Sequence, residues 1–428
     1  MFKAGAAETV INPPLGTSLG GYFYERPCMG ILDDLHAKAL VLDDGTTKVA
    51  IAICDLQAIE STEVNEARRI ASQATGIPAE NIMISTTHTH TGPQVRRHRV
   101  VPVNDDYLAV LPGMIADAIT RAHANLQTAT VRLGEEHEDR LAFNRRFRMS
   151  DGRVVFNPRK CAEGILGADG PIDPQINVLR LDGEDGQPIC ILANYQMHPD
   201  VMGGCEASAD FPGVASRIVS SLYESNPVVI YMQGACGNIN QRDVSDPRPQ
   251  TGPEEVLKIG RALAGKILAA SELSVPVEGT LVRTSRSMLD IKYHPLTDEL
   301  RAKADRVLAD PNAGDFDRAQ AEAISRYQLD GKSAEVEVQV IRVGDTAFVG
   351  IPGEYFVEYG ISIKEWSPFG QTFVAELANN TFGYIPTLDA FHPGTYETMP
   401  IVSATLDPSA GVQMANAAGR LLRSLASD

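Results

Sequence analysis

His88 and His90 stand one residue apart in Thr87-His88-Thr89-His90-Thr91-Gly92-Pro93, directly after the apolar run 82–84. In extended backbone alternate side chains share a face, so both imidazoles are expected to point the same way. Two imidazoles on one face at the C-terminal end of a strand make half of a metal site, or a ligand beside a general base. Gly92-Pro93 then breaks the backbone. A polar strand end carrying two solvated histidines would read the same way, so the case rests on what lies downstream.

Downstream, polar groups recur where strand-like runs end. Asp55 closes 48–55 and His198 follows 188–197. The segment 233–240, with Asn238 and Asn240, follows 228–232, and Glu354 follows 334–351. Open α/β sheets bind ligands beyond the C-terminal ends of their strands. Two separated histidines, one carboxylate and an open position are a recurrent arrangement for catalytic zinc. Zinc brings the pKa of water to about 7 and polarises a carbonyl, and a second histidine beside it moves the proton.

The elements that would position these groups follow from pattern. Residues 38–43 and 48–55 flank Asp44-Gly45, a hairpin signal. Ser61 or Thr62 is expected to cap a helix to Thr75, with Val64, Ala67 and Ala71 on its apolar face and Gly76 as its stop. Asp105 or Asp106 opens a second helix, which Pro112 would strain in its first turns. Residues 131–160 read as strands, and 176–182 and 188–197 as two more around a turn. A helix is expected after Pro212, another from Pro253, polar helices near 297–310 and 315–327, and a last one after Asp407-Pro408. The two strand–helix–strand units suggest a weak internal duplication. The fold class expected is α/β: mixed parallel and antiparallel sheets flanked by helices, in one large domain over 1–428.

Bulk properties narrow the function. The net charge of −17 argues against nucleic acid as a partner. No run of eighteen apolar residues predicts a membrane span. The six cysteines contain no Cys-x-x-Cys pair, and Cys54 and Cys190 lie in apolar runs as buried thiols. The first five residues lack an apolar signal core, so a cytoplasmic chain is expected, or one already trimmed.

The chain resembles the neutral/alkaline ceramidases in their N-terminal zinc amidohydrolase domain. The motifs are Thr87 to Pro93, His198-Pro199, residues 233–240, Pro352-Gly353-Glu354 and Gly383-Tyr384, in family order. The resemblance implies that His88, His198, Glu354 and Tyr384 bind one Zn²⁺. His90 would act as base and then as acid to the leaving amine, and Arg145 would stabilise the substrate oxyanion. Where the family reads Gly-Asp-hydrophobic-Ser-Pro, this chain reads Gly237-Asn238-Ile239-Asn240-Gln241. Asn240 thus replaces a serine close to the scissile amide, and Asn238 and Asn240 are expected to contact substrate. The family's C-terminal β-sandwich domain is not expected in this chain.

The expected activity is therefore zinc-dependent hydrolysis of a small amide other than ceramide. An esterase or lactonase at the same metal and a non-catalytic ligand-binding descendant are the alternatives. Each residue has a plainer role to set beside this. His198 could be a core histidine held by Pro199, Glu354 a hairpin end and Tyr384 a packed aromatic. Asp210 reads first as stabilising a helix start, Asp55 and His36 could line the pocket, and Cys236 lacks a partner at metal spacing. Tyr396-Glu397 match a family pair too short to assign. Loops 94–103, 145–170 and 381–400 are expected to shape the pocket.

Overall fold

The computed structural model describes residues 1–97, 101–277, 279–392 and 394–427. Three mixed sheets carry the chain. The first contains β1 (Lys3–Val10), β2 (His36–Asp43), β3 (Lys48–Cys54) and β4 (Ile82–Thr86), in the order β4-β3-β2-β1. The second contains β5 (Thr130–His137), β6 (Gln175–Asp182), β7 (Pro188–Tyr195) and β8 (Val228–Gln233), in the order β8-β7-β6-β5. The third contains β9 (Val282–Lys292), β10 (Ser333–Val343), β11 (Thr346–Gly350) and β12 (Gln371–Ala375), in that order. The helices are α1 (Ser61–Thr75), α2 (Asp105–Ala124), α3 (Asp210–Ser221), α4 (Pro253–Glu272), α5 (Asp298–Ala309), α6 (Asp315–Ser325), α7 (Val357–Trp366) and α8 (Ala410–Ser427). None of them is long and apolar enough to cross a membrane.

One motif recurs in each sheet. An antiparallel hairpin (β2–β3, β6–β7 or β10–β11) leads into a helix, and the next strand returns parallel to the hairpin's second strand. The helices of these crossovers are α1, α3 and α7. The two units legible in the sequence are thus joined by a third of the same connectivity.

Period-two alternation explains how the sheets stack. Ala39 and Val41 of β2 pack under α1 and α2, whereas Leu40 and Leu42 join a central core shared by all three sheets. Leu179, Leu192 and Ile230 enter that core from the second sheet, and Ile341, Phe348 and Phe373 from the third. The outer faces are covered by α3 and α4 on the second sheet and by α7 and α8 on the third. Truncating Phe348, which is fully buried against Phe373, costs about 3–5 kcal/mol by this packing.

Several expected boundaries move. Glu60, not Ser61, occupies the cap of α1, and Gly76 ends that helix at φ 74°. Pro112 lies inside α2, past its first turns, and Asn104 caps the helix by accepting from Tyr107 N. Helix α3 starts at Asp210, two residues before Pro212. Helix α7 is absent from the sequence reading. Its Val357, Tyr359, Gly360 and Ile361 are poor helix formers, and its contacts with β12 and α8 hold it instead. Helices α5 and α6 form a small cluster of their own around Ala304, Ala321 and Ile324.

Candidate metal centre

The three parallel strand pairs bring their C-terminal ends to one place. Residues 55–57 and 87–90 leave the first sheet there, 196–200 and 234–240 the second, 351–354 and Glu376 the third. His88 is in the left-handed region at φ 67°. Simple alternation therefore does not bring the two histidines together. The strand ends at Thr86, and a turn re-aims His88.

His88, His198 and Glu354 meet nitrogen to oxygen. His88 Nε2 lies 3.1 Å from His198 Nε2, 3.4 Å from His90 Nε2 and 3.5 Å from Glu354 Oε2. His198 Nε2 lies 3.4 Å from the same Oε2. All four residues are buried. The other ring nitrogens are fixed behind this cluster. His88 Nδ1 donates to Gln57 O at 2.6 Å and His198 Nδ1 to Cys236 O at 2.8 Å. A carbonyl can only accept, so each Nδ1 carries a proton, and each ring when neutral aims an Nε2 lone pair inward. Glu354 Oε2 is buried without a hydrogen-bond partner. Facing lone pairs beside an orphaned carboxylate oxygen repel one another unless a cation stands among them. The three histidines alone satisfy the geometry of a metal site, with ligand atoms all within 4.8 Å of one another.

In the absence of a metal these groups draw a proton onto the cluster, at His88. Burial opposes charge on His88, but Glu354 beside it prevails and raises its pKa. Burial, helped by Arg145, pulls His198 down to about 3. Burial resists ionisation of Glu354, but His88 and His198 hold its carboxyl well below the usual range. Burial and the neighbouring His88 and His198 keep His90 neutral.

Tyr384 is bridged to Glu354 across two short parallel strands, and its ring lies 6.4 Å from His198. The Arg145 guanidinium is buried 5.3 Å from the centre of the Tyr384 ring. Arg145 also donates to Glu397 Oε1 at 2.9 Å and to Gly237 O at 2.7 Å. Asn240 pairs with Asn157 at 3.1 Å, seven per cent exposed. Asn238 turns away, its amide donating to Glu358 and accepting from Val357 N at the start of α7.

The other candidates fall outside this cluster. Asp55 accepts from His36 N and from the Thr87 hydroxyl, and with His36 it lines a separate cleft of about 280 Å³ between β2 and α3. Asp210 braces the loop after His198, accepting from Val201 N and Met202 N, and burial raises it to about 6. Cys236 stands behind His198, its thiol donating to Glu376 at 3.0 Å. Of the expected pocket loops, 98–100 and residue 393 lie outside the described residues.

Sequence reasoning missed Glu376, Asp200, Tyr22 and the role of Glu397. Glu376 follows β12 as Glu354 follows β11, so the rule that found one could have found both. Asp200 stands two residues from His198. Nothing in the sequence marks Tyr22, and Glu397 is a lone acid in an aromatic loop.

The fold and site define a class, an α/β protein with a buried histidine–carboxylate centre at its strand tips. The profile described as neutral/alkaline non-lysosomal ceramidase, N-terminal, matches residues 3–256. The chain belongs to that family, a family of hydrolases. It is similar to the crystal structure of neutral ceramidase from Pseudomonas aeruginosa, with a TM-score of 0.78 and 19% identity, over 100% of this chain and 74% of that one. It is also similar to a structure of ceramidase complexed with C2, with a TM-score of 0.77 and 17% identity, over 100% of this chain and 75% of that one.

Proposed function

We propose that the protein is a zinc-dependent hydrolase that cleaves the carbon–nitrogen bond of an amide other than ceramide. The observation that carries this reading is the convergence of His88, His198 and Glu354, with separations of 3.1, 3.4 and 3.5 Å. Bonds of about 2.0–2.1 Å in a tetrahedral zinc site leave ligand atoms about 3.3 Å apart. Tyr384, beside Glu354, would complete the set. The chemistry supplied by Zn²⁺ bound there is acidification of water to a pKa of about 7 and polarisation of a carbonyl.

The remaining steps belong to the chain. His90 differs from the two ligand histidines because no backbone carbonyl anchors its Nδ1. Its free Nε2 faces the cluster, suited to take the proton of the attacking water and pass it to the departing amine nitrogen. Arg145, held by Glu397 and Gly237, offers its charge to the oxyanion of the tetrahedral intermediate. Asn240 and Asn157 form a polar wall for the amide's substituents, and Asn238 serves to fix α7 against the loop 234–240. Asn240 in the place of the ceramidase serine favours a smaller substrate.

The test is turnover of an amide library by protein with and without zinc. Activity that returns with zinc after chelation, and is lost in His88→Ala with the fold kept, is expected. Undiminished turnover by the chelated protein would end this reading.

A further inference from the structure

His90 is held more elaborately than a solvent-facing base requires. Its backbone N–H donates to Pro199 O at 3.0 Å, and Arg26 Nη2 donates to its carbonyl at 2.5 Å. Gly21, at φ 98°, lies flat against its ring, so that a Cβ there would stand 2.6 Å from His90 Nδ1. The Tyr22 ring meets the imidazole edge-on at 5.8 Å, and Arg26 stacks on the other part of Tyr22 at 4.1 Å. One atom of the ring is left over. His90 Nδ1 is buried without a hydrogen bond, and the acceptor it faces is Asp200 Oδ1 at 3.6 Å. Asp200 is itself aimed by the Tyr22 hydroxyl, which donates to that same Oδ1.

We propose that Asp200, clamped by Tyr22, is the positioning carboxylate of His90. It would hold the proton on Nδ1 and so present the Nε2 lone pair to the cluster. The proposal rests on the reading of His90 as the proton carrier given above. The gap of 3.6 Å is longer than a hydrogen bond, and such contacts tighten when substrate is bound. A carboxylate behind a catalytic imidazole selects the working tautomer in the same way in serine hydrolases.

The test uses zinc-loaded full chain labelled with ¹⁵N-histidine. Long-range proton–nitrogen spectra, with His90 assigned by its loss in His90→Gln, are expected to show the Nδ1–H tautomer. Asp200→Ala shifts His90 toward Nε2–H. Asp200→Asn, which keeps an acceptor oxygen, retains most of the original signal. In kinetics Asp200→Ala lowers kcat on the order of 10²-fold, with KM and zinc content unchanged. An Nε2–H tautomer in the wild type, or an unaltered one in Asp200→Ala, overturns the proposal. Should Asp200→Ala fail to fold, Asp200→Leu, which fills the same space without an acceptor, replaces it, and an unaltered tautomer there is equally fatal. If no amide is turned over by any form, the functional reading fails while the spectra still decide this one.

Discussion

His88 and His198 face each other Nε2 to Nε2 across 3.1 Å, each with its Nδ1 committed to a backbone carbonyl. With both rings neutral neither Nε2 can donate to the other, so the contact is favourable only when a proton on His88 or a metal cation is shared. Zinc at a hundredfold excess over its Kd is therefore expected to stabilise the wild type by about 2.7 kcal/mol. His88→Ala and His198→Ala should show no such gain. Thermal melts with and without zinc measure it.

Glu354→Gln separates affinity from stability. The substitution keeps the shape but removes the charge facing both imidazoles at 3.4 and 3.5 Å. Zinc affinity is expected to fall by at least about tenfold, as read by competition with a chromophoric chelator. The metal-free protein should melt within a few degrees of the wild type.

Glu376 predicts a pH dependence. Burial lifts its carboxyl from 4.5 to about 7, the nearby His88 offsetting only part of the effect. The folded-state pKa is raised, so protonation favours the fold. That contribution is complete below about pH 4.5 and is lost as the pH rises through about 7. The loss amounts to at most about 3 kcal/mol. Glu376→Gln keeps an acceptor for Cys236 N and Tyr355 N, which Oε2 now serves. Its denaturation midpoint should be flatter across this window and higher than the wild type's at pH 8. Equal slopes would refute the assignment.

Arg145 has two roles that one substitution mixes. Arg145→Ala is expected to lower kcat by about 10²–10³-fold. It also strips the nearer cation from Glu397, which is fully buried, at a cost of about 3–5 kcal/mol. Arg145→Met with Glu397→Gln should recover most of the stability and none of the activity. Denaturant titrations beside steady-state kinetics distinguish the two.

The fold class and the strand tips were legible because they depend on local pattern. The hairpin at Asp44-Gly45, the α1 periodicity ending at Gly76 and the apolar strands are encoded over a few residues each. The convergence of His198 and Glu354 on His88 was inferred from strand-tip logic together with the family motifs. What stayed hidden depends on tertiary contact. Helix α7 forms against its propensities, Asn238 turns its amide away to hold it, and Glu397 matters only because two arginines, Arg145 and Arg146, happen to reach it. His88 acquires its left-handed backbone from the turn, which no period of two foretells.

The threefold architecture bears on how the molecule is made. His88 and His90 come from one sheet, His198 from the second and Glu354 from the third, so the four side chains meet only when all three sheets are docked. A nascent polypeptide emerging from the ribosome would lack the carboxylate of this cluster until residue 354 and its neighbours had docked. The proposed centre would thus be completed late, when the third sheet joins the first two.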